Sequence, residues 1–116
     1  MRLYHSQIRL PKGFVAPTGR VLLAYTVHAL EASKNDRYGE IPVLKSVTLD
    51  RLQIVEVGVE NDDRIVKIVY RGRLDAERDL ILVLIPCAGR AWRVKTVWCN
   101  LRTDQHMTLD KSRYVR

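Results

Sequence analysis

Lys95-Thr96-Val97-Trp98-Cys99-Asn100, followed by Asp104-Gln105-His106-Met107-Thr108-Leu109-Asp110, gathers a cation, hydroxyls, an indole, amides and a histidine in one short stretch. A strand end that holds cations beside a histidine can do phosphate chemistry. His106 is the candidate general acid or base, because neutral imidazole titrates near working pH and Asp104 or Asp110 could orient it. The bland alternative is an exposed tail histidine. Thr108 could serve the same site, or could cap a short last helix together with Asp110. His28 is a second candidate: it borders an apolar stripe with Tyr25 and Ala32 at spacings of three and four, where the alternative is a half-buried histidine that holds a backbone group or a carboxylate.

The cations that would hold a phosphate come from alternating segments. Between Arg64 and Arg71 the period is two, so Lys67 and Arg71 share a face. If Val55, Val57 and Val59, then Val66, Ile68 and Tyr70, then Trp92, Val94 and Thr96 all face a covering helix, the other face collects Glu56, Lys67, Arg71, Arg93 and Lys95. Four basic groups on one open face could bind a phosphodiester and stabilise the charge of its transition state. They could equally form a solvated, salt-bridged surface. Strict alternation sets Thr96, Trp98 and Asn100 opposite Lys95, and a bulge or sheet edge would reverse that. Trp98 then either fills the core or stacks on an unpaired base, with Arg93 and Asn100 as further substrate contacts.

Several chemistries lack their residues. There is no Gly-rich phosphate loop, HExxH, GxSxG or two-metal carboxylate constellation. No cofactor and no metal are expected, so any nuclease activity should be metal-independent. Cys87 and Cys99 form no CxxC pair, which argues against zinc and leaves open a single disulfide. Lys and Arg number 20 against 13 acids, a formal charge of +7, which favours RNA or an acidic inhibitor protein as partner. The opening Met1-Arg2-Leu3-Tyr4-His5-Ser6 has no apolar signal core and no run is long enough to span a bilayer, so a cytoplasmic chain without membrane contact is expected. Oligomeric state is left open.

The elements that must position these groups follow from 116 residues, about one domain. Residues 1–20, with Pro11, Gly13, Pro17 and Gly19, read as an irregular arm whose Arg9, Lys12 and Arg20 could touch phosphates or simply cover an edge of the core. Residues 21–116 hold the rest. Val21, Leu22, Tyr25, Ala29 and Ala32 recur near helical spacing, predicting one helix over about 19–34 with Thr18 as cap and Gly39 as stop. Ser46 to Leu52 fits either a short helix or an extended crossover. Alternation over 54–60, 64–71 and 92–100, and the apolar run Leu80–Ile85 ended by Pro86, predict four strands in a meander. The expected class is α+β: an N-terminal helix, or two, packed on a four-stranded antiparallel sheet.

Thr26-Val27-His28-Ala29, Asp36-Arg37-Tyr38-Gly39, Val69-Tyr70-Arg71, Arg78-Asp79-Leu80-Ile81-Leu82-Val83, Lys95-Thr96-Val97-Trp98-Cys99-Asn100 and the Asp104 to Asp110 tail together cover roughly residues 24–114. In this set the chain resembles the small toxin-type ribonucleases grouped as barnase–EndoU–colicin–RelE, and it is similar to small prophage-encoded relatives of that group. The resemblance implies a RelE-like fold, RNA cleavage without metal and restraint by a cognate inhibitor. It also implies sheet cations, matched here by Lys67, Arg71 and Lys95, and a histidine or threonine near the end, matched by His106 and Thr108. The expectation is an endoribonuclease acting by 2′-hydroxyl attack. The alternative class is a non-catalytic basic protein that binds nucleic acid or inhibits a host protein.

Overall fold

The computed structural model describes residues 1–104 and 111–116. In chain order its strands are β1 (Arg2–His5), β2 (Arg20–Tyr25), β3 (Ser46–Thr48), β4 (Gln53–Val59), β5 (Ile65–Arg73), β6 (Arg78–Ile85) and β7 (Ala91–Leu101). One helix, α1 (Val27–Lys34), lies between β2 and β3, and single 3-10 turns cover Leu49–Arg51 and Lys111–Arg113. The strands form one mixed sheet in the order β1-β4-β5-β6-β7-β2-β3. Every neighbouring pair is antiparallel except β2 and β7, which run parallel.

This corrects the expected helix on a four-stranded antiparallel sheet. The meander β4 to β7 is present, but it is the middle of a seven-stranded sheet. Arg20–Tyr25 is a strand because its side chains also fit a period of two: Val21 is buried and Leu23 and Tyr25 half-buried, while Leu22 and Ala24 are exposed. Thr26, not Thr18, ends that strand and caps the helix, its hydroxyl accepting from the Ala29 amide at 3.0 Å. The helix therefore has only 8 residues. Within the expected irregular arm, Arg2–His5 pairs with β4, and Ser46–Thr48 pairs with β2 as an extended edge.

One sheet face carries the main core. Val57, Ile68, Leu82, Leu84 and Val94 are buried there against Ala29 of α1, Ile41 and Leu49. Burying each large aliphatic side chain contributes about 1.5–3 kcal/mol, so this layer dominates stability. On the opposite face a smaller apolar cluster, Val55, Val69, Ile81 and Val83, lies beneath the half-buried Trp98.

Two register shifts decide which polar side chains join that second face. Between Ile54 and Glu56 the β4 strand advances two residues against one on β5, making Val55 the extra residue. Between Thr96 and Val94 the β7 strand does the same against Val83 and Leu84, making Lys95 the extra residue. A bulge sets both of its residues toward one side and resets alternation beyond it. Val55 thus leaves the face of Val57, and Thr96, Trp98 and Asn100 join Lys95 while Val97 and Cys99 turn into the main core.

Candidate functional site

A cavity of about 370 Å³ opens on the second face. Its apolar floor is Val69 of β5 and Val83 of β6. Glu56 comes from β4, Lys67 from β5, Lys95, Thr96, Trp98 and Asn100 from β7, and Arg113 from the closing segment. The Lys95 bulge is tied down from behind: the Thr26 amide donates to the Val94 carbonyl at 3.2 Å, and the Thr26 hydroxyl donates to the Lys95 carbonyl at 3.2 Å. The residue that caps the helix also fixes the kink in the site strand.

Glu56 is the organising charge. It is 4% exposed, and an ionised carboxylate at that depth is unfavourable unless it is paired and hydrogen-bonded. Lys67 Nζ lies 3.0 Å from Oε2, the Tyr114 hydroxyl donates to Oε1 at 2.8 Å, and Arg113 Nη2 lies 3.7 Å from Oε1. Burial pushes the Glu56 carboxyl up, but the hydrogen bonds from Lys67 and Tyr114, with the charges of Lys67 and Arg113, outweigh it and hold the group below the ordinary glutamate value. Each oxygen keeps a lone pair, since a carboxylate offers about four acceptor positions.

The closing segment reaches Glu56 by crossing the edge of the sheet. Tyr114 bridges to Leu3 of β1, and the Val115 amide donates to the Leu3 carbonyl at 2.8 Å. The Tyr114 ring meets His5 edge-on at 5.0 Å. His5, 1% exposed, stands opposite Glu56 in the β1–β4 register. Its Nδ1 accepts from the Gln7 amide at 3.1 Å, so the neutral ring carries its proton on Nε2.

Asn100 adds an unbalanced polar group. It is 2% exposed and its Oδ1 has no hydrogen-bond partner among the described residues. Leaving a buried amide acceptor unpaired costs about 1–3 kcal/mol, which makes the cavity wall receptive to a donor.

Of the residues singled out in the sequence, Lys67, Lys95, Trp98 and Asn100 meet in this cavity. Arg71 does not. Its guanidinium pairs with Asp79 at 2.8 Å and donates to the carbonyls of Asp104 at 2.9 Å and Leu101 at 3.4 Å, which secures the turn after β7. Arg93 is exposed beside Ile85 and does not line the cavity, and His28 is exposed on the first turn of α1. His106 and Thr108 lie outside the described residues. Sequence reasoning placed Glu56 only as one charge among cations and passed over Arg113, Tyr114 and His5. Alternation within β4 and β5 sets Glu56 and Lys67 on one face, but nothing local in Ser112-Arg113-Tyr114 signals a return to β1.

Among the described residues no three His, Cys, Asp or Glu side chains converge as metal ligands. Cys87 is exposed and Cys99 buried, and both are free thiols. Among the same residues, no helix is long and apolar enough to cross a membrane. Comparison with models of protein families, with curated proteins and with solved structures finds no match in any of the three. The likeness to toxin-type ribonucleases rests on the sequence residues alone.

Proposed function

We propose that the cavity holds one unpaired ribonucleotide of a single-stranded RNA and that the chain cleaves it without metal. The observation that carries this reading is a buried carboxylate kept ionised in a cavity walled by Lys67, Lys95 and Arg113, with an indole beside it. In this reading Trp98 stacks on the base and the cations hold the phosphate. Glu56 takes the proton of the ribose 2′-hydroxyl, the 2′-oxygen bonds to phosphorus, and the bond from phosphorus to the 5′-oxygen breaks. The leaving 5′-oxygen receives a proton; His106 holds that role on the sequence argument.

A second reading has its own support. Lys67 and Tyr114 already engage both oxygens of Glu56, so the same group can act as a structural tie beneath a site that only binds. Purified protein incubated with total RNA and with short single-stranded oligonucleotides in excess EDTA separates the two. The cleavage reading expects 2′,3′-cyclic phosphate and 5′-hydroxyl ends, and a loss of about 10²–10⁴-fold in Glu56→Gln. RNA bound but left intact overturns cleavage, and no binding at low salt overturns both.

A further inference from the structure

We propose that Tyr114 is a positioning residue for Glu56, and that segment 111–116 is a strap whose docking on β1 sets the orientation of the site carboxylate; this rests on the reading of Glu56 as the base. Among the described residues, two of the three side-chain partners of Glu56, Arg113 and Tyr114, belong to this strap, and the other, Lys67, belongs to the sheet. The strap is also held by the Leu3–Tyr114 bridge, the Val115 amide on Leu3, the contact of the Tyr114 ring with His5, Arg9 donating to the Arg116 carbonyl at 3.0 Å, and the packing of Val115 against the main core.

The two oxygens of Glu56 are held differently. Oε2 is held at 3.0 Å by a lysine from the neighbouring strand, whereas Oε1 is held at 2.8 Å by the strap hydroxyl and approached only at 3.7 Å by Arg113. Tyr114 therefore fixes the rotation of the carboxylate plane about its long axis. A base must aim a lone pair at one proton, and a misplacement of about 1 Å can cost 10²-fold. Among the described residues, the charged and titratable groups facing Glu56 are Lys67 from β5, Arg113 and Tyr114 from the strap, and His5 from β1. A phenol differs from its cationic neighbours: it supplies direction with no net charge, so it stabilises the anion without adding to the ion pairs of Lys67 and Arg113.

Tyr114→Phe removes this one donor while keeping the backbone bridge and the ring on His5. Carboxyl NMR titration of Glu56 in the full chain should show its midpoint rise by about one pH unit, since a hydrogen bond to a charged group is of that size. In the cleavage assay kcat should fall with KM unchanged, and the acid limb of the pH profile should move up with the carboxyl. Site-specific 3-fluorotyrosine at position 114 keeps hydroxyl and packing but strengthens the donor, and should move the midpoint down; it serves also if Tyr114→Phe does not fold. An unmoved Glu56 midpoint in a folded variant overturns the positioning role. Shifted midpoints with no cleavage by any form, parent included, would leave the grip of Tyr114 on Glu56 standing and remove the ribonuclease reading with the catalytic half of this one.

Discussion

At the scale of single residues, the buried Glu56 carboxylate links the site to stability. Its native pKa lies below the ordinary value of 4.5, so the unfolded chain takes up its proton first as the solution is acidified. The stabilisation is complete above that value and is lost as pH falls through the depressed native one. Thermal melting between about pH 6 and pH 3 should therefore show an acid loss of Tm that Glu56→Gln makes shallower. An equal slope in both proteins would place the acid sensitivity elsewhere, with Asp50 and Asp75 the other depressed carboxyls among the described residues. Burial is the part of this that the sequence hides. A glutamate alternating with valines reads as a solvated position, and the lysine on the next strand with the returning Arg113 and Tyr114 converts it into a buried anion.

At the scale of elements, the strand-to-helix junction at Thr26 controls both halves of the fold. One side chain there accepts from the Ala29 amide and donates to the Lys95 carbonyl. Thr26→Ala should cost about 1–2 kcal/mol in chemical denaturation through loss of the cap. It should also move the amide resonances of Lys95 and Thr96, whereas a change confined to α1 would mean that the bulge holds itself. The four strands of the meander were legible because three of them alternate over long stretches, the other is the unbroken apolar run Leu80–Ile85, and Asn61-Asp62-Asp63 and Pro86–Arg90 supply turn residues between them. β2 was not. Arg20-Val21-Leu22-Leu23-Ala24-Tyr25 satisfies both periods, and the choice is made by β7, which supplies a parallel partner distant in sequence. The bulges were illegible for a related reason: an extra residue within a strand has no composition of its own, so strict alternation assigns Val55, Thr96 and Trp98 to the wrong face.

At the scale of the whole molecule, a charge of +7 is spread over a sheet whose cations are not equivalent. Sequence alternation counts Lys67, Arg71, Arg93 and Lys95 as one face. In the fold Arg71 is held by Asp79 at 13% side-chain exposure, and Lys67 is held by Glu56 at 17%. Lys95 is exposed on the cavity wall and forms no ion pair among the described residues. A cation already neutralised releases few counterions when a phosphate arrives, whereas an unpaired one releases nearly its full share, about 0.7 in log–log slope for single strands. Lys95→Ala should accordingly weaken oligonucleotide binding at low salt and flatten the salt dependence by about that increment. Arg71→Ala should leave the slope nearly unchanged and instead lower Tm, because it leaves the half-buried Asp79 with Arg102 at 3.4 Å as its remaining cation among the described residues and releases the carbonyls of Leu101 and Asp104. Fluorescence anisotropy across a salt series, with melting curves on the same samples, measures both. Equal slopes for the parent and Lys95→Ala would mean that the phosphate path avoids this cavity, and a flattened slope for a folded Arg71→Ala would mean that the Asp79 pair opens to receive RNA.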